Sequence, residues 1–312
     1  MKTLITGSIA YDTIMVFPDR FRNHLLADQL HILNVCFLTP EMRREFGGTA
    51  GNIAYNLKLL GEDPLIMATL GEDSGPYLER LRRLGLATEH LKTIAGQFTA
   101  QAFITTDLDD NQITAFHPGA MNYAHQNHVA DGIAELAIIA PDGKEGMLQH
   151  ARECAERDMR VLFDPGQGLP MFSGEELNRF IDLADYVAVN DYEGKLLEER
   201  TGRALEELAR RVDALVYTQG AKGSLIIADG KRHEIPCVTA DAVVDPTGCG
   251  DAYRAGLLYG IAHGWDWPST GKLGSLMGAI KVASRGAQNH ALVRDEIEAR
   301  FKRAFGYTPW KG

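Results

Sequence analysis

The sequence is short of cysteine, of long apolar runs and of positive charge, and each shortage excludes a class of protein. Its four cysteines, Cys36, Cys154, Cys237 and Cys249, are scattered, with no Cys-x-x-Cys pair and no close Cys/His cluster. That argues against a structural zinc and fits a reduced, cytoplasmic chain. No run approaches the roughly 20 apolar residues of a membrane span. The opening stretch from Met1 stops at Gly7 without a signal-peptide pattern. Lys and Arg number 32 against 42 Asp and Glu, a net charge of −10 with His neutral. So acidic a surface repels phosphate backbones, so neither nucleic acid nor a membrane is an expected partner; a local pocket for one nucleotide is still allowed. There is no internal repeat and no linker rich in Pro, Gly or Ser.

What is present is core material. Of 312 residues, 45% are apolar and 24% charged, ample for a buried core and unlike a disordered chain. Short apolar runs at Leu4–Thr6, Leu65–Leu70, Leu136–Ala140, Val161–Phe163, Tyr186–Val189, Leu215–Tyr217 and Leu225–Ala228 read as strands. Amphipathic stretches at Thr49–Leu60, Pro76–Leu84, Gly143–Glu156, Glu175–Leu183, Tyr192–Glu199 and Ala204–Arg211 read as helices, and from Gly248 onward the pattern is nearly all helical. Strands alternating with helices predict an α/β fold with a mostly parallel sheet covered on both faces. Two regions break the rhythm, 13–47 and 99–119. The second carries a turn, Asp109 to Gln112, between the β-rich Ala102–Thr106 and Ile113–His117. Together they read either as a small second sheet or as surface hairpins.

Two segments carry chemistry. In Asp245-Pro246-Thr247-Gly248-Cys249-Gly250-Asp251, glycines flank a small residue just before a helical run. Backbone N–H groups at such a helix start converge on one spot and suit an anion or a transferring phosphoryl group. Asp251 beside them is placed to take a proton from an attacking hydroxyl. Taken alone, the same pattern also fits an Asp stabilised by the helix dipole. No Gly-Lys-Ser/Thr follows, so it is not a P-loop. The second segment, Gly47-Gly48-Thr49-Ala50-Gly51-Asn52, again lets a ligand approach backbone closely, and Asn52 offers a donor and an acceptor to a hydroxylated substrate. By itself it could equally be a packing helix. The Cys249 thiol, at a helix N-terminus, is expected to have a lowered pKa and to be oxidisable.

Taken together, the two helix starts resemble those of the ribokinase-like (PfkB) carbohydrate kinase family. Gly7-Ser8 through Asp12, Asn190-Asp191-Tyr192-Glu193 and Thr218-Gln219-Gly220-Ala221-Lys222-Gly223 are similar to further motifs of that family, in the same order, and the resemblance runs from residue 1 to about 285. Within the family, Phe17-Pro18-Asp19-Arg20-Phe21, Phe116-His117-Pro118-Gly119-Ala120-Met121 and Asp245-Pro246-Thr247-Gly248 look most like the bacterial adenosine kinase group. Cys249 departs from the small Ala or Val usual between the glycines.

The resemblance implies a three-layer ribokinase-like domain over 1–312, with the insertions at 13–47 and 99–119 forming a small β-lid and a homodimer joined through such lids. It implies ATP-dependent phosphorylation of a nucleoside 5′-hydroxyl, adenosine giving AMP. Asp251 would be the base, with the backbone of Gly248, Cys249 and Gly250 stabilising charge on the phosphoryl oxygens. Ser8, Asp12, Gly48, Asn52 and Gln167 would hold the nucleoside, and Phe103 and Phe116 would flank its purine. Asn190, Thr218, Gly220, Gly223 and Gly250 would border ATP. Glu193 would influence Mg²⁺ through water, and the resemblance also allows a monovalent cation. Competing readings are a sugar kinase of the same family, a kinase for inosine, guanosine or cytidine, and a nucleoside-binding regulator without catalysis. A Rossmann dehydrogenase is excluded, because Thr6-Gly7-Ser8-Ile9-Ala10 lacks Gly-x-Gly-x-x-Gly.

Overall fold

The computed structural model describes residues 1–25, 34–109 and 111–310. The part of the first insertion at 26–33, Asp110 in the expected turn, and residues 311–312 lie outside the described residues. Nine strands form the main sheet, in the order β13-β12-β11-β10-β9-β8-β1-β4-β5. In chain order these are β1 (Thr3–Thr6), β4 (Leu65–Leu70), β5 (Leu91–Thr93), β8 (Leu136–Ile139), β9 (Arg160–Phe163), β10 (Tyr186–Asn190), β11 (Ala214–Thr218), β12 (Ser224–Ala228) and β13 (Lys231–Ile235). From β5 to β11 every pairing is parallel, and β12 and β13 add an antiparallel hairpin at one edge.

Burial explains the continuous apolar runs. Every residue of β1, β4 and β8 is buried, as expected of parallel strands covered on both faces. One face packs α1 (Thr49–Leu59), α2 (Gly75–Arg83), α7 (Cys249–Ala262), α8 (Trp267–Val282) and α9 (Arg294–Phe305) over a core that includes Ile5, Ile53, Ile138, Leu257 and Phe301. The other packs α3 (Lys144–Ala155), α4 (Gly174–Leu183), α5 (Asp191–Thr201) and α6 (Leu205–Ala209) over Met67, Phe163, Phe180 and Val187. This is the expected three-layer ribokinase-like fold. β13 was not anticipated. Lys-Arg-His-Glu-Ile is mostly exposed, so it carries no apolar signal, and it forms only because β12 offers it an edge.

A second sheet of four strands, ordered β3-β2-β6-β7, is built from β2 (Ala10–Val16), β3 (Glu41–Gly47), β6 (Ala100–Thr106) and β7 (Gln112–His117). β2 pairs antiparallel with β3 and parallel with β6, and β6 pairs antiparallel with β7. The register decides which side chains share a face. Asp12 pairs with Ala102, and Ala102 with Phe116, whereas Phe103 pairs with Thr13 and Ala115. Because side chains alternate along a strand, Asp12 and Phe116 share one face and Phe103 lies on the other. The two rings expected to flank one ligand thus lie on opposite faces: a one-residue offset between the two Phe positions separates them across the sheet.

Candidate active site

The glycine-rich segments become two helix starts facing each other. At Gly48, φ is +85°, and an added side-chain carbon would lie 2.5 Å from the Ala10 amide, so only glycine lets the chain turn from β3 into α1. Ser8 and Thr49 lock this turn: the Thr49 amide donates to Ser8 Oγ at 3.1 Å and the Ala50 amide to Ser8 O at 3.0 Å. At Gly248, φ is +78°, and it precedes α7 directly. A side chain there would meet Ala287 at 2.8 Å and approach Asn52 Nδ2 at 3.7 Å, so the two helix starts nearly touch.

They are joined by one hydrogen bond. Asn52 Nδ2, from the first turn of α1, donates to Asp251 Oδ2, in the first turn of α7, at 2.7 Å. Asn52 is itself held, because Gln288 Nε2 donates to its Oδ1 at 3.0 Å and to the Tyr77 hydroxyl at 2.8 Å. Tyr77 donates onward to Gly47 O at 2.7 Å, and the Arg80 guanidinium donates to the main-chain oxygen of Gln288. Burial raises the Asp251 carboxyl to about 6, opposed by the Asn52 bond and assisted by the charges of Asp164 and Asp12. Asp12 is likewise raised to about 6, by burial first and then by Asp245 and Glu45. Gly47 leaves it room: a side-chain carbon there would sit 2.5 Å from Asp12 Oδ2.

The amides at the start of α7 divide differently from expectation. Those of Gly248, Gly250 and Asp251 have no protein acceptor among the described residues. The Cys249 amide donates to Pro246 O at 3.1 Å, so it closes the turn and is not one of the free donors. Nor is the Cys249 thiol acidic. Burial pushes it up to about 11, since Lys281 lowers it less than desolvation raises it. The expected activation at a helix N-terminus is corrected on that ground.

Below this, α7 carries a residue that the glycine motif does not single out. The Arg254 guanidinium, almost fully buried, makes two 3.1 Å bonds to the Asp164 carboxylate and lies 3.8 Å from Glu193 Oε2. Asp164 directly follows β9 and Glu193 sits in α5, so Arg254 ties Asp251's helix to the opposite layer. Glu193 and Asn190 form a reciprocal cap at the start of α5: the Asn190 amide and Nδ2 donate to the two Glu193 oxygens at 2.8 Å each. Asn190 and Thr218 are register partners at the carboxyl ends of β10 and β11. Gly220 (φ +55°) and Gly223 (φ +95°) turn the chain from β11 into β12. Gln167 is exposed in the short helical turn after β9.

A magnesium ion would have to be carried in on phosphate and would meet this site through Glu193. No group of three or more His, Cys, Asp or Glu among the described residues is arranged to hold a metal. Both Glu193 oxygens already accept from Asn190. A hard cation that keeps its water can meet such a carboxylate through that shell. Among the described residues, no helix is long and apolar enough to cross a membrane.

A family model for the pfkB family of carbohydrate kinases matches residues 21–293. The structure of Burkholderia thailandensis nucleoside kinase in complex with inosine superposes with a TM-score of 0.90 at 55% identity, covering 99% of this chain and 100% of that one. The same enzyme in complex with ADP-inosine gives 0.88 at 56% identity, over 99% of this chain and 98% of that one. The nucleoside kinase of Methanocaldococcus jannaschii is 32% identical over 272 residues, 86% of this chain and 90% of the relative.

Arg254→Met tests the buried cluster. It leaves Asp164 and Glu193 without their cation, and a buried charge stripped of its partner costs about 3–5 kcal/mol. Urea unfolding at neutral pH should show a loss of that size; a change within 1 kcal/mol would mean the guanidinium is dispensable to the fold.

Proposed function

The chain belongs to the pfkB carbohydrate kinase family and is a kinase, and from that premise we propose that it transfers the γ-phosphoryl group of ATP to the 5′-hydroxyl of a purine nucleoside. The single observation carrying this reading is the Asn52–Asp251 bond at 2.7 Å, which joins a hydroxyl-binding amide to a basic carboxylate beside free helix-start amides. The nucleoside itself is favoured over a bare sugar by the similarity to nucleoside kinases and by the exposed Phe116 ring on the same face as Asp12. The bacterial adenosine kinase motifs point to adenosine giving AMP; the inosine-bound relative supports inosine as a second acceptor.

In this mechanism Asp12 accepts hydrogen bonds from the ribose 2′- and 3′-hydroxyls, a carboxylate being able to accept two at once. Ser8, Gly48 and Asn52 complete the ribose site, Gln167 borders the nucleoside, and Phe116 stacks on the base. Asp251 takes the 5′-hydroxyl proton as that oxygen bonds to the γ-phosphorus and the bond to the ADP oxygen breaks. The Gly248, Gly250 and Asp251 amides stabilise the charge on the transferring oxygens. Asn190, Thr218, Gly220 and Gly223 border the nucleotide, and bound Mg²⁺ supplies charge neutralisation on the phosphates, with Glu193 meeting it through water. The four-stranded sheet acts as a lid that excludes water, the competing acceptor. Its edge strands β3 and β7 are the surfaces for lid pairing in a homodimer.

An ADP-release assay with ATP and Mg²⁺ over adenosine, inosine, guanosine, cytidine, ribose and fructose tests the reading. Turnover should be greatest with a purine nucleoside; preference for ribose or fructose would make it a sugar kinase. Asp251→Asn keeps the shape and removes the base, so kcat should fall at least about 10²-fold with nucleoside affinity kept. Near-normal turnover in that variant would refute the assignment.

The raised carboxyl sets a pH dependence. Asp251 works as a base only when ionised, so kcat/KM for the nucleoside should fall as pH drops through about 6. Asn52 favours the ionised form, so Asn52→Ala should move that acid limb to higher pH. A limb near 4, or one indifferent to Asn52, would place the titrating group elsewhere.

The lid register separates the two rings. Phe116→Ala should weaken nucleoside binding by about 10-fold or more, the scale of a lost base–aromatic stack, and leave ATP affinity unchanged. Phe103→Ala, on the opposite face, should change nucleoside affinity much less. Calorimetric titration of both variants reads this, and equal losses would overturn the facing.

A further inference from the structure

Lys281 is a buried cation that the proposed chemistry does not use. It lies in the last turn of α8 with 0% of its surface exposed. Its Nζ donates to the main-chain oxygen of Asp245 at 2.7 Å and to that of Ser284 at 3.0 Å. An ammonium removed from water is costly unless oxygen partners replace its hydration, and here two carbonyls do so. The Asp245 carbonyl leads into the turn that opens α7, and the Ser284 carbonyl follows the end of α8, so the ammonium ties the two segments together. The same turn is tied down elsewhere: the Val244 and Asp245 amides donate to Val282 O, and the Asp245 carboxylate accepts from the Thr247 and Gly286 amides. Asp245 directly precedes the tight turn Pro246–Cys249, which contains Gly248 and is closed by the Cys249 amide on Pro246 O. The ammonium's field also reaches the start of α7. Among the charges acting on the Cys249 thiol, Lys281 has the largest effect, ahead of Asp245 and Asp251.

We propose that Lys281 is a positioning residue for phosphoryl transfer, whose ammonium clamps the Asp245 and Ser284 carbonyls and thereby holds the Gly248, Gly250 and Asp251 amides in place. The proposal rests on reading those amides as the phosphoryl site. It assigns Lys281 no contact with substrate; it acts through the turn. Loss of the clamp lets the amides drift, which affects the transition state, where charge is concentrated on the phosphoryl oxygens, more than it affects ground-state binding.

The test uses two variants of the full chain. Lys281→Met keeps the apolar stem and removes the charge. Lys281→Ala also opens space for a small cation. In Lys281→Met, kcat should fall on the order of 10²-fold, as for loss of one oxyanion donor, while the nucleoside dissociation constant stays within about twofold of wild type. Ammonium or methylammonium chloride should restore at least about 10-fold of the kcat lost in Lys281→Ala, tetramethylammonium should not, and the wild type should respond to neither. A merely structural lysine would not give this cation-selective rescue with binding intact. Wild-type kcat in Lys281→Met, rescue by the bulky cation as well, or failure of both variants to fold would each overturn the proposal. Absence of nucleoside turnover in the wild type would instead sink the proposed function.

Discussion

The hydrogen bond from Asn52 to Asp251 spans 199 residues of sequence and joins two helix starts. Everything at the site depends on that closure. α1 follows the second sheet and carries Asn52; α7 carries the Asp251 carboxylate, with the unpaired amides at its start. Neither half is a site alone, because a Gly-rich helix start without the facing partner is only a capped helix. The contact is specified from both sides. Gly48 and Gly248 let the backbones approach, and Gln288 and Tyr77 fix which way the Asn52 amide points. With its oxygen held by Gln288, Asn52 can present only its N–H to Asp251. That orientation stabilises the carboxylate against a burial that would otherwise raise its pKa further.

Charge is handled locally. The chain carries −10 overall, yet the site is suited to a polyanion. Its positive elements are interior: the Arg254 guanidinium between Asp164 and Glu193, the Lys281 ammonium on two carbonyls, and the partial charge of helix-start amides. Buried cations paired in this way are fixed in place, and fixed dipoles need no reorganisation when charge moves. Burial raises the carboxyls of Asp12 and Asp251, each to about 6. A group with that value is still ionised at neutral pH and accepts a proton more readily than an exposed aspartate, as a general base requires.

How much of this is readable from the chain depends on whether the signal is local. The alternation of short buried strands with helices yields the three layers, because period and apolar runs are local properties. The glycine pairs and the acidic residue after them are likewise contiguous, so Asp251 and the Gly248 turn are visible as candidates. Arg254 is also contiguous with that motif, but its importance lies in Asp164 and Glu193, which come from another layer. Gln288, Tyr77 and Arg80 matter only through Asn52, a relation no spacing rule encodes. The Cys249 thiol shows the opposite failure: its position at a helix start suggests acidity, and only the burial around it reverses the sign.

The second sheet shows the same limit more sharply. Both Phe103 and Phe116 sit in strands rich in β-branched and aromatic residues, and composition gives them equal standing. In a sheet the side-chain period is two, so the face of a residue depends on pairing register, and register is fixed across strands that are far apart in sequence. Once Asp12 is set opposite Ala102, and Ala102 opposite Phe116, the ring beside the acidic group is determined. Phe103 is one position out of phase along its own strand and so turns away. Which of the two rings shares a face with Asp12 is therefore carried by the hydrogen-bond ladder of β2, β6 and β7, which sequence composition does not contain.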